Sequence, residues 1–355
     1  MKKTLLIHIC IGLLLIMPAY AQEEICLPED LAAEAGEAAQ LVNPREPALG
    51  LGQGLGEIWQ RTRGQLLQQL TEGLRGIVGI LAGVVLLGVV ESMAAAPSGV
   101  LSLVGALWIT AATAGNIRLL LGLGRQTVLD LSGFSKVLLP SLAMATSAAG
   151  GVTGAPVRQL ATVFFSDILL TLMERVLLPG VYLLIGVVAA DAALGGGRLE
   201  AISRLLRRGL GWGLCGLVGL FTGYLTLTSA ITGGVDRRAV RLAQAAVSAA
   251  VPVVGRILSQ ASESVLAGAG LLRGMIGVCG TLGVVSLCLG PVLRLGIQYG
   301  LYQAASLLSG VVGPSSMTRL LKGLGGALGL VLALTAASAA ILLISIVSSL
   351  TAVLP

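Results

Sequence analysis

The stretch GLGWGLCGLVGLFTGYLTLTSAITGGV, residues 209–235, and the stretch GMIGVCGTLGVVSLCLGPVL, residues 274–293, contain no charged residue. An α-helix rises about 1.5 Å per residue, so each stretch is long enough to cross about 30 Å of hydrocarbon. Further charge-free apolar tracts lie at residues 76–90, 92–117, 137–157, 176–190, 295–318 and 323–355. These tracts predict an all-α, polytopic membrane protein with about six to eight transmembrane helices.

The composition of the whole chain agrees with this fold class. Hydrophobic residues make up 55% of the 355 residues, charged residues make up 11%, and the mean hydropathy is +0.93. These values lie well outside the range of soluble globular domains. The net charge of +6 comes from arginines at the ends of apolar tracts, which we interpret as anchors that contact lipid headgroups.

The segment between the two quoted tracts is too polar for lipid and too apolar for a solvated loop. It reads DRRAVRLAQAAVSAAVPVVGRILSQASESVLAGAGLLR, residues 236–273, and carries the isolated charges Arg256, Glu263 and Arg273. A charge at bilayer depth costs about 2.5 to 3.5 kcal/mol, so such side chains face protein or water. We expect these three residues, with Asp167 in the apolar stretch 159–173, to line a polar path or to hold subunit contacts.

Prolines and glycines predict one or two broken or re-entrant helices. Pro252 and Gly255 precede a small, hydroxyl-rich stretch, and Pro140 stands in a similar setting earlier in the chain. Proline removes a backbone hydrogen bond and disfavours the interior of a helix. We therefore expect helix breaks at these three positions.

The N-terminal part of the chain has the layout of an exported segment. Residues 1–21 predict a signal peptide, although an uncleaved first span is the alternative. Residues 22–56 combine an acidic stretch with a glycine-rich hinge. Residues 57–75 predict an amphipathic interfacial helix on the spacing of Trp59, Leu66, Leu70 and Leu74, and residues 76–355 form the membrane domain.

Several classes of function are disfavoured by what the sequence lacks. The single histidine, His8, lies in the predicted signal peptide, and no CxxC motif or nucleotide-binding motif is present. Aromatic residues make up only 3% of the chain, too few for base stacking, so we expect no nucleic-acid partner. We predict no catalytic, metal or cofactor site, and we expect a protein that is not an enzyme.

The arrangement of glycines and arginines leaves two questions open. Repeated G-x-x-x-G spacings favour close helix packing, within one chain or between copies in a homo-oligomer. With an exported N-terminus and crossings near 76–96 and 100–117, the loop expected at 118–136 would lie outside, against the positive-inside rule. Arginines also flank residues 209–235 on both sides, so the rule does not orient the segments 118–136, 198–208 and 236–273.

The run GGVDRRAVRLAQAAVSAAVPVVGRILSQASESVLAGAGLLRGMIGVCG, residues 233–280, resembles the stage III sporulation protein AE family of endospore-forming Firmicutes. The resemblance is carried by Pro252 to Gly255, Ser259, Ser262, Gly268, Leu271 to Arg273, and Gly277. It implies an integral membrane component of the secretion-like channel complex between mother cell and forespore.

The same resemblance implies a location and a set of partners. The protein would be a multi-pass protein of the mother-cell membrane around the forespore, with an exported N-terminus. Its partners would be the other stage III sporulation proteins of its operon, including ring-forming and ATPase components. A stand-alone secondary transporter is the alternative, favoured by the broken helices.

Overall fold

The computed structural model describes residues 47–93, 98–148, 154–194, 197–232 and 254–351, and these are almost entirely helical. The helices are α1 (Pro47–Met93), α2 (Ser98–Ala148), α3 (Gly154–Leu172), α4 (Leu178–Leu194), α5 (Glu200–Thr232), α6 (Val254–Val312) and α7 (Ser315–Thr351). A π-helical turn, Met173–Leu177, joins α3 to α4 without a loop. Across the described ranges, six helical segments are long and apolar enough to cross a membrane, with the α3–α4 segment counting once. This confirms the predicted fold class.

Helices α6 and α7 form an antiparallel pair on which the other helices pack. Tyr302 and Tyr299 of α6 lie on Gly325 and Gly329 of α7, and the glycines let the two backbones approach closely. Lipid supplies no hydrophobic drive for helix association, so such small-residue contacts stabilise the pair through close van der Waals packing.

Helix α5 runs parallel to α7, and a glycine of α7 lies against an arginine of α5. Arg207 of α5 donates hydrogen bonds to the carbonyl oxygens of Lys322 and Gly323, both at 3.2 Å. A Cβ atom at Gly326 would collide with the Arg207 guanidinium. Glycine at this position therefore makes room for the arginine.

Helix α2 lies against the middle of both α6 and α7. Its Phe134 and Leu138 are fully buried and pack on Gly283 and Gly280 of α6, while Gly124 packs against Val331 of α7. The middle of α2 therefore lies at the same depth as charge-free parts of both partner helices.

The structure corrects several predicted boundaries. The segment 118–136, expected to be a loop, is the middle of α2, and the expected break at Pro140 is absent because α2 continues through it. The fully buried neighbours Leu138, Leu139 and Leu142 stabilise the helix there despite the backbone hydrogen bond that proline removes. Likewise, residues 274–293 and 295–318 do not form separate spans, since α6 passes through Arg294 and ends at Val312.

The glycine-rich hinge and the interfacial helix belong to one element. Both lie in α1, which begins at Pro47, so the glycines after residue 50 are helical. Gly54 packs on Leu282 of α6, and that contact compensates for the low helix propensity of glycine. The predicted apolar stripe is not the packed face, since Trp59, Leu70 and Leu74 are exposed while Ile58 and Ile77 are buried. The signal peptide and residues 22–46 lie outside the described residues.

Candidate functional site

A polar cavity of about 150 Å³ lies between α1, α2 and α6. Its polar lining consists of Gln69 and Glu72 from α1, Thr113 and Asn116 from α2, and Arg294, Gln298 and Tyr302 from α6. All three helices are candidate membrane spans. Polar side chains from three such helices therefore converge on one small space.

The amide groups of the cavity are only partly satisfied by one another. Asn116 donates from Nδ2 to Oε1 of Gln298 at 3.4 Å, a long hydrogen bond, and Gln298 is only 9% exposed. The buried Oε1 of Gln69 accepts no hydrogen bond from the residues that the structure describes. Buried polar atoms of this kind are commonly satisfied by water.

Two opposite charges also line the cavity without pairing with each other. Arg294 makes no ion pair with the described residues, and Glu72 accepts a 3.1 Å hydrogen bond from Nε2 of its neighbour Gln68. A cavity of about this volume holds several waters or one molecule about the size of benzene, and the lining here is polar. We conclude that the cavity is suited to water or a small ion.

Asp167, one of the predicted site residues, pairs with another helix of the same chain. Its Oδ1 lies 3.5 Å from Nζ of Lys136 on α2. A second pair, between Nη2 of Arg125 and Oε1 of Glu174 at 3.8 Å, links α2 to the π-helical turn. The antiparallel α2 and α3–α4 segments are thus joined by two ion pairs.

Arg273 also has partners within the chain. It is 8% exposed, and its Nη2 donates to the carbonyl oxygens of Ser349 and Leu350 at the end of α7. The last carbonyls of a helix have no partner inside the helix, so Arg273 provides the missing donor. This geometry gives Arg273 a structural role.

The other predicted site residues, Arg256, Glu263, Pro252 and Gly255, lie in or just before the first half of α6. Arg256 and Glu263 belong to the first half of α6, and their side chains fall outside what is described. Pro252 is also outside the described residues, and Gly255 lies in the first turn of α6. The expectation of a polar path through Arg256 and Glu263 therefore stays a prediction.

An unexpected feature is a charged face on the middle of α2, formed by Arg118, Arg125 and Lys136, with Asp130 about 120° further round the helix. The side chains of Arg125 and Lys136 are 56% and 62% exposed despite their ion pairs. Because Gly124 contacts Val331 of α7 and Leu295 of α6, Arg125 lies level with a charge-free stretch of α7 and close to Arg294 of α6. Phe134 contacts Gly283, so Lys136 lies level with a charge-free stretch of α6. Charges at that depth are costly against lipid.

Polar contacts also stabilise the end of the bundle where α4 leads into α5. Asp191, which is 5% exposed, accepts a 2.7 Å hydrogen bond from the backbone N–H of Leu199 and lies 3.9 Å from Arg319 of α7. Gly197 in the connecting turn has a φ of 68°, a conformation that favours glycine. These contacts fix where α5 begins relative to α7.

Sequence reasoning missed the cavity residues Asn116, Arg294 and Gln298. Each is a single polar residue at the edge of or inside an apolar tract, and only the packing of three helices brings them together. The available signal was their rarity, since a polar residue within a membrane span usually faces protein or water.

One comparison with known proteins identifies a relationship. A family model described as stage III sporulation protein AE matches residues 52–352. No curated protein and no solved structure matches the chain. The match covers nearly all of the described residues.

Proposed function

Because the chain belongs to the stage III sporulation protein AE family, we propose that it is a non-enzymatic subunit of a channel complex between mother cell and forespore. In this proposal the protein lies in the mother-cell membrane with its N-terminus exported. Its partners are the other stage III sporulation proteins of its operon, including ring-forming and ATPase components. The family itself implies a role in sporulation, and the helices fit a multi-pass membrane protein.

The observation that carries the proposal is the charged face of α2. Arg118, Arg125 and Lys136 are exposed. Arg125 lies level with a charge-free part of α7, and Lys136 lies level with a charge-free part of α6. An exposed charge at this depth is stable only where protein or water covers it. The charged face therefore favours a protein that works in an assembly, with this face against another subunit or an aqueous path.

The lengths of the helices support the same proposal. Helices α2 and α6 contain 51 and 59 residues, respectively. At about 1.5 Å per residue they are more than twice as long as the roughly 30 Å hydrocarbon core. Parts of these helices extend beyond one bilayer and offer surface to partners outside it.

A photo-crosslinking experiment in a sporulating host tests this proposal. A crosslinking amino acid at Leu119, an exposed neighbour of Arg118, should form adducts with other sporulation proteins or a second copy of the chain. The matched position is Leu220, which is exposed on the charge-free part of α5 and should crosslink mainly to lipid. If Leu119 also yields only lipid adducts, the charged face is not an assembly surface and the proposal loses its main support.

The polar cavity favours the alternative, a stand-alone secondary transporter. Arg294, Asn116 and Gln298 line a space that limits any solute to about the size of benzene. Purified protein in vesicles, without partners, would take up solute if this alternative holds. Loss of that uptake in an Arg294→Gln variant would assign it to the cavity.

A catalytic role has little support in these residues. Among the described residues, no group of three histidine, cysteine, aspartate or glutamate side chains could hold a metal ion. The chain has one histidine, which lies at position 8.

A further inference from the structure

One end of the bundle, where α4 leads into α5 and α7 begins, carries a concentration of cations that we call the basic end. Its members are Arg198, Arg204, Arg207, Arg208, Arg319 and Lys322. They lie close in space because Arg207 reaches the backbone of α7 at Lys322 and Arg319 reaches Asp191 of α4. The described acidic residues nearby are Asp191 and Glu200.

The six cations fall into two groups with different surroundings. Arg207 and Arg319 are partly buried and engaged with the backbone of α7 and with Asp191, so they hold the helices together. Arg198, Arg208 and Lys322 are exposed and form no ion pair with the described residues. Arg204 is 64% exposed and only 3.6 Å from Glu200, a solvent-exposed pair that contributes little. The outer group therefore retains positive charge available to a partner.

The outward face of α5 changes from basic to aromatic to apolar along its length. Arg204, Arg208 and Trp212 are spaced by four residues, so they lie in one row on the helix. The Trp212 side chain is 82% exposed, and Leu220 and Leu227 further along are also exposed. This order matches the sequence of layers that a helix meets on passing from headgroups into hydrocarbon.

A second helix carries an aromatic residue close to the basic end. Gly180 of α4 packs against Leu210 of the antiparallel α5, so Tyr182 lies level with Arg208, roughly 6 Å along the axis from Trp212. Tyr182 is 45% exposed. Tyrosine and tryptophan are enriched at membrane interfaces, where an amphipathic ring lies level with the headgroups.

From these observations we infer that the basic end binds anionic phospholipid headgroups, with Arg204 and Arg208 as the principal contacts and Trp212 directly beneath them. Phosphate oxygens accept hydrogen bonds from guanidinium groups in well-matched geometry. The apolar stretch that follows Trp212 accommodates the acyl chains of the same lipids. Zwitterionic lipids carry the same phosphate together with a cation that the exposed arginines repel, so the excess positive charge of this surface favours a lipid with net negative charge.

Fluorescence quenching by brominated lipids tests the inference directly. The chain has three tryptophans, so Trp59→Phe with Trp108→Phe leaves Trp212 as the reporter. The full chain is placed in mixed bilayers that contain brominated phosphatidylglycerol or brominated phosphatidylcholine. We expect phosphatidylglycerol to bind beside Trp212 more tightly by about fivefold for each contributing arginine at low salt, and less so at high salt.

Three variants in the same background distinguish binding from a change in structure. Arg204→Gln with Arg208→Gln should bring the two lipids to equal quenching, whereas Arg204→Lys with Arg208→Lys should keep most of the preference. Arg61→Gln with Arg63→Gln, on α1, should leave the preference for phosphatidylglycerol unchanged. Equal quenching by the two lipids in the unsubstituted reporter protein would overturn the inference, and so would a preference that survives loss of both arginines. If the basic end instead binds an acidic protein, the two brominated lipids should quench Trp212 equally.

Discussion

Nη2 of Arg273 on α6 lies 2.8 Å from the carbonyl oxygen of Ser349 in the last turn of α7. A guanidinium from one helix thereby completes the C-terminal hydrogen bonding of its antiparallel neighbour. The carbonyl oxygens of the final turn have no partner within their own helix, so the donor from α6 satisfies groups that would otherwise need water.

Replacement of Arg273 should therefore reduce stability more than replacement of an exposed arginine. Hydrogen bonds to charged groups contribute about 1.5 to 3 kcal/mol, and Arg273→Ala should lower the free energy of unfolding by that order. Thermal unfolding in detergent measures the change, and Arg175→Ala at an exposed position is the matched control. Equal unfolding temperatures for the two variants would contradict a stabilising role for Arg273 at the end of α7.

Arg207 and Gly326 should behave as one unit. A methyl group at Gly326 collides with the guanidinium of Arg207, so Gly326→Ala should displace it from the carbonyl oxygens of Lys322 and Gly323. We expect either Gly326→Ala or Arg207→Ala to destabilise the protein by about 1 to 3 kcal/mol, and the double variant by less than the sum. Gly209→Ala, where a Cβ meets nothing within 4 Å, is the control. Additive effects would show that the two positions are independent.

The ion pair between Asp167 and Lys136 predicts rescue by exchange of the two charges. Asp167→Lys places two cations side by side and should reduce the yield of heat-resistant spores. Like charges repel strongly where the surroundings have a low dielectric constant, as they do between membrane-spanning helices. Lys136→Asp combined with Asp167→Lys restores an opposite pair and should recover much of the yield. Immunoblots of membrane fractions separate loss of the protein from loss of its activity. A double variant no better than the single one would contradict a pairwise role.

The polar cavity should admit water-soluble reagents from the aqueous phase. In a chain without native cysteines, Gln298→Cys should react with a charged thiol reagent although position 298 belongs to a candidate membrane span. Native Cys279 is fully buried on the same helix and, retained alone, should remain unreactive. If both positions are equally unreactive, the cavity is closed to solvent.

The elements that the sequence predicted best are those whose apolar character is continuous. Helices α5 and α7 follow from the charge-free stretches within residues 209–235 and 323–355. In contrast, the charges at Arg125 and Lys136 suggested a loop, because their partners Glu174 and Asp167 are distant in the sequence and become adjacent only after folding. Arg294 similarly divided one long helix into two predicted spans.

The candidate site was predictable in kind but not in position. Polar residues at membrane depth were expected, and Asp167 and Arg273 do contact other helices. The cavity depends on single residues from three helices, such as Asn116 and Gln298, and no local pattern links them. Periodicity describes one helix at a time, whereas this site depends on how three of them pack.

The π-helical turn at Met173–Leu177 has a consequence for the gene as well as for the fold. Before the turn, Ser166 lies against Ser345, and after it Asp191 faces Arg319, so both contacts depend on the number of residues between them. Each residue in a helix advances the chain by about 100°, since a turn contains 3.6 residues. A π-helical turn holds one more residue than an α-helical turn, so loss of one codon within it would let the segment close as a continuous α-helix with α4 still facing its partners. Loss of a second codon would rotate α4 by about 100°, so the turn leaves this gene segment a tolerance of one codon.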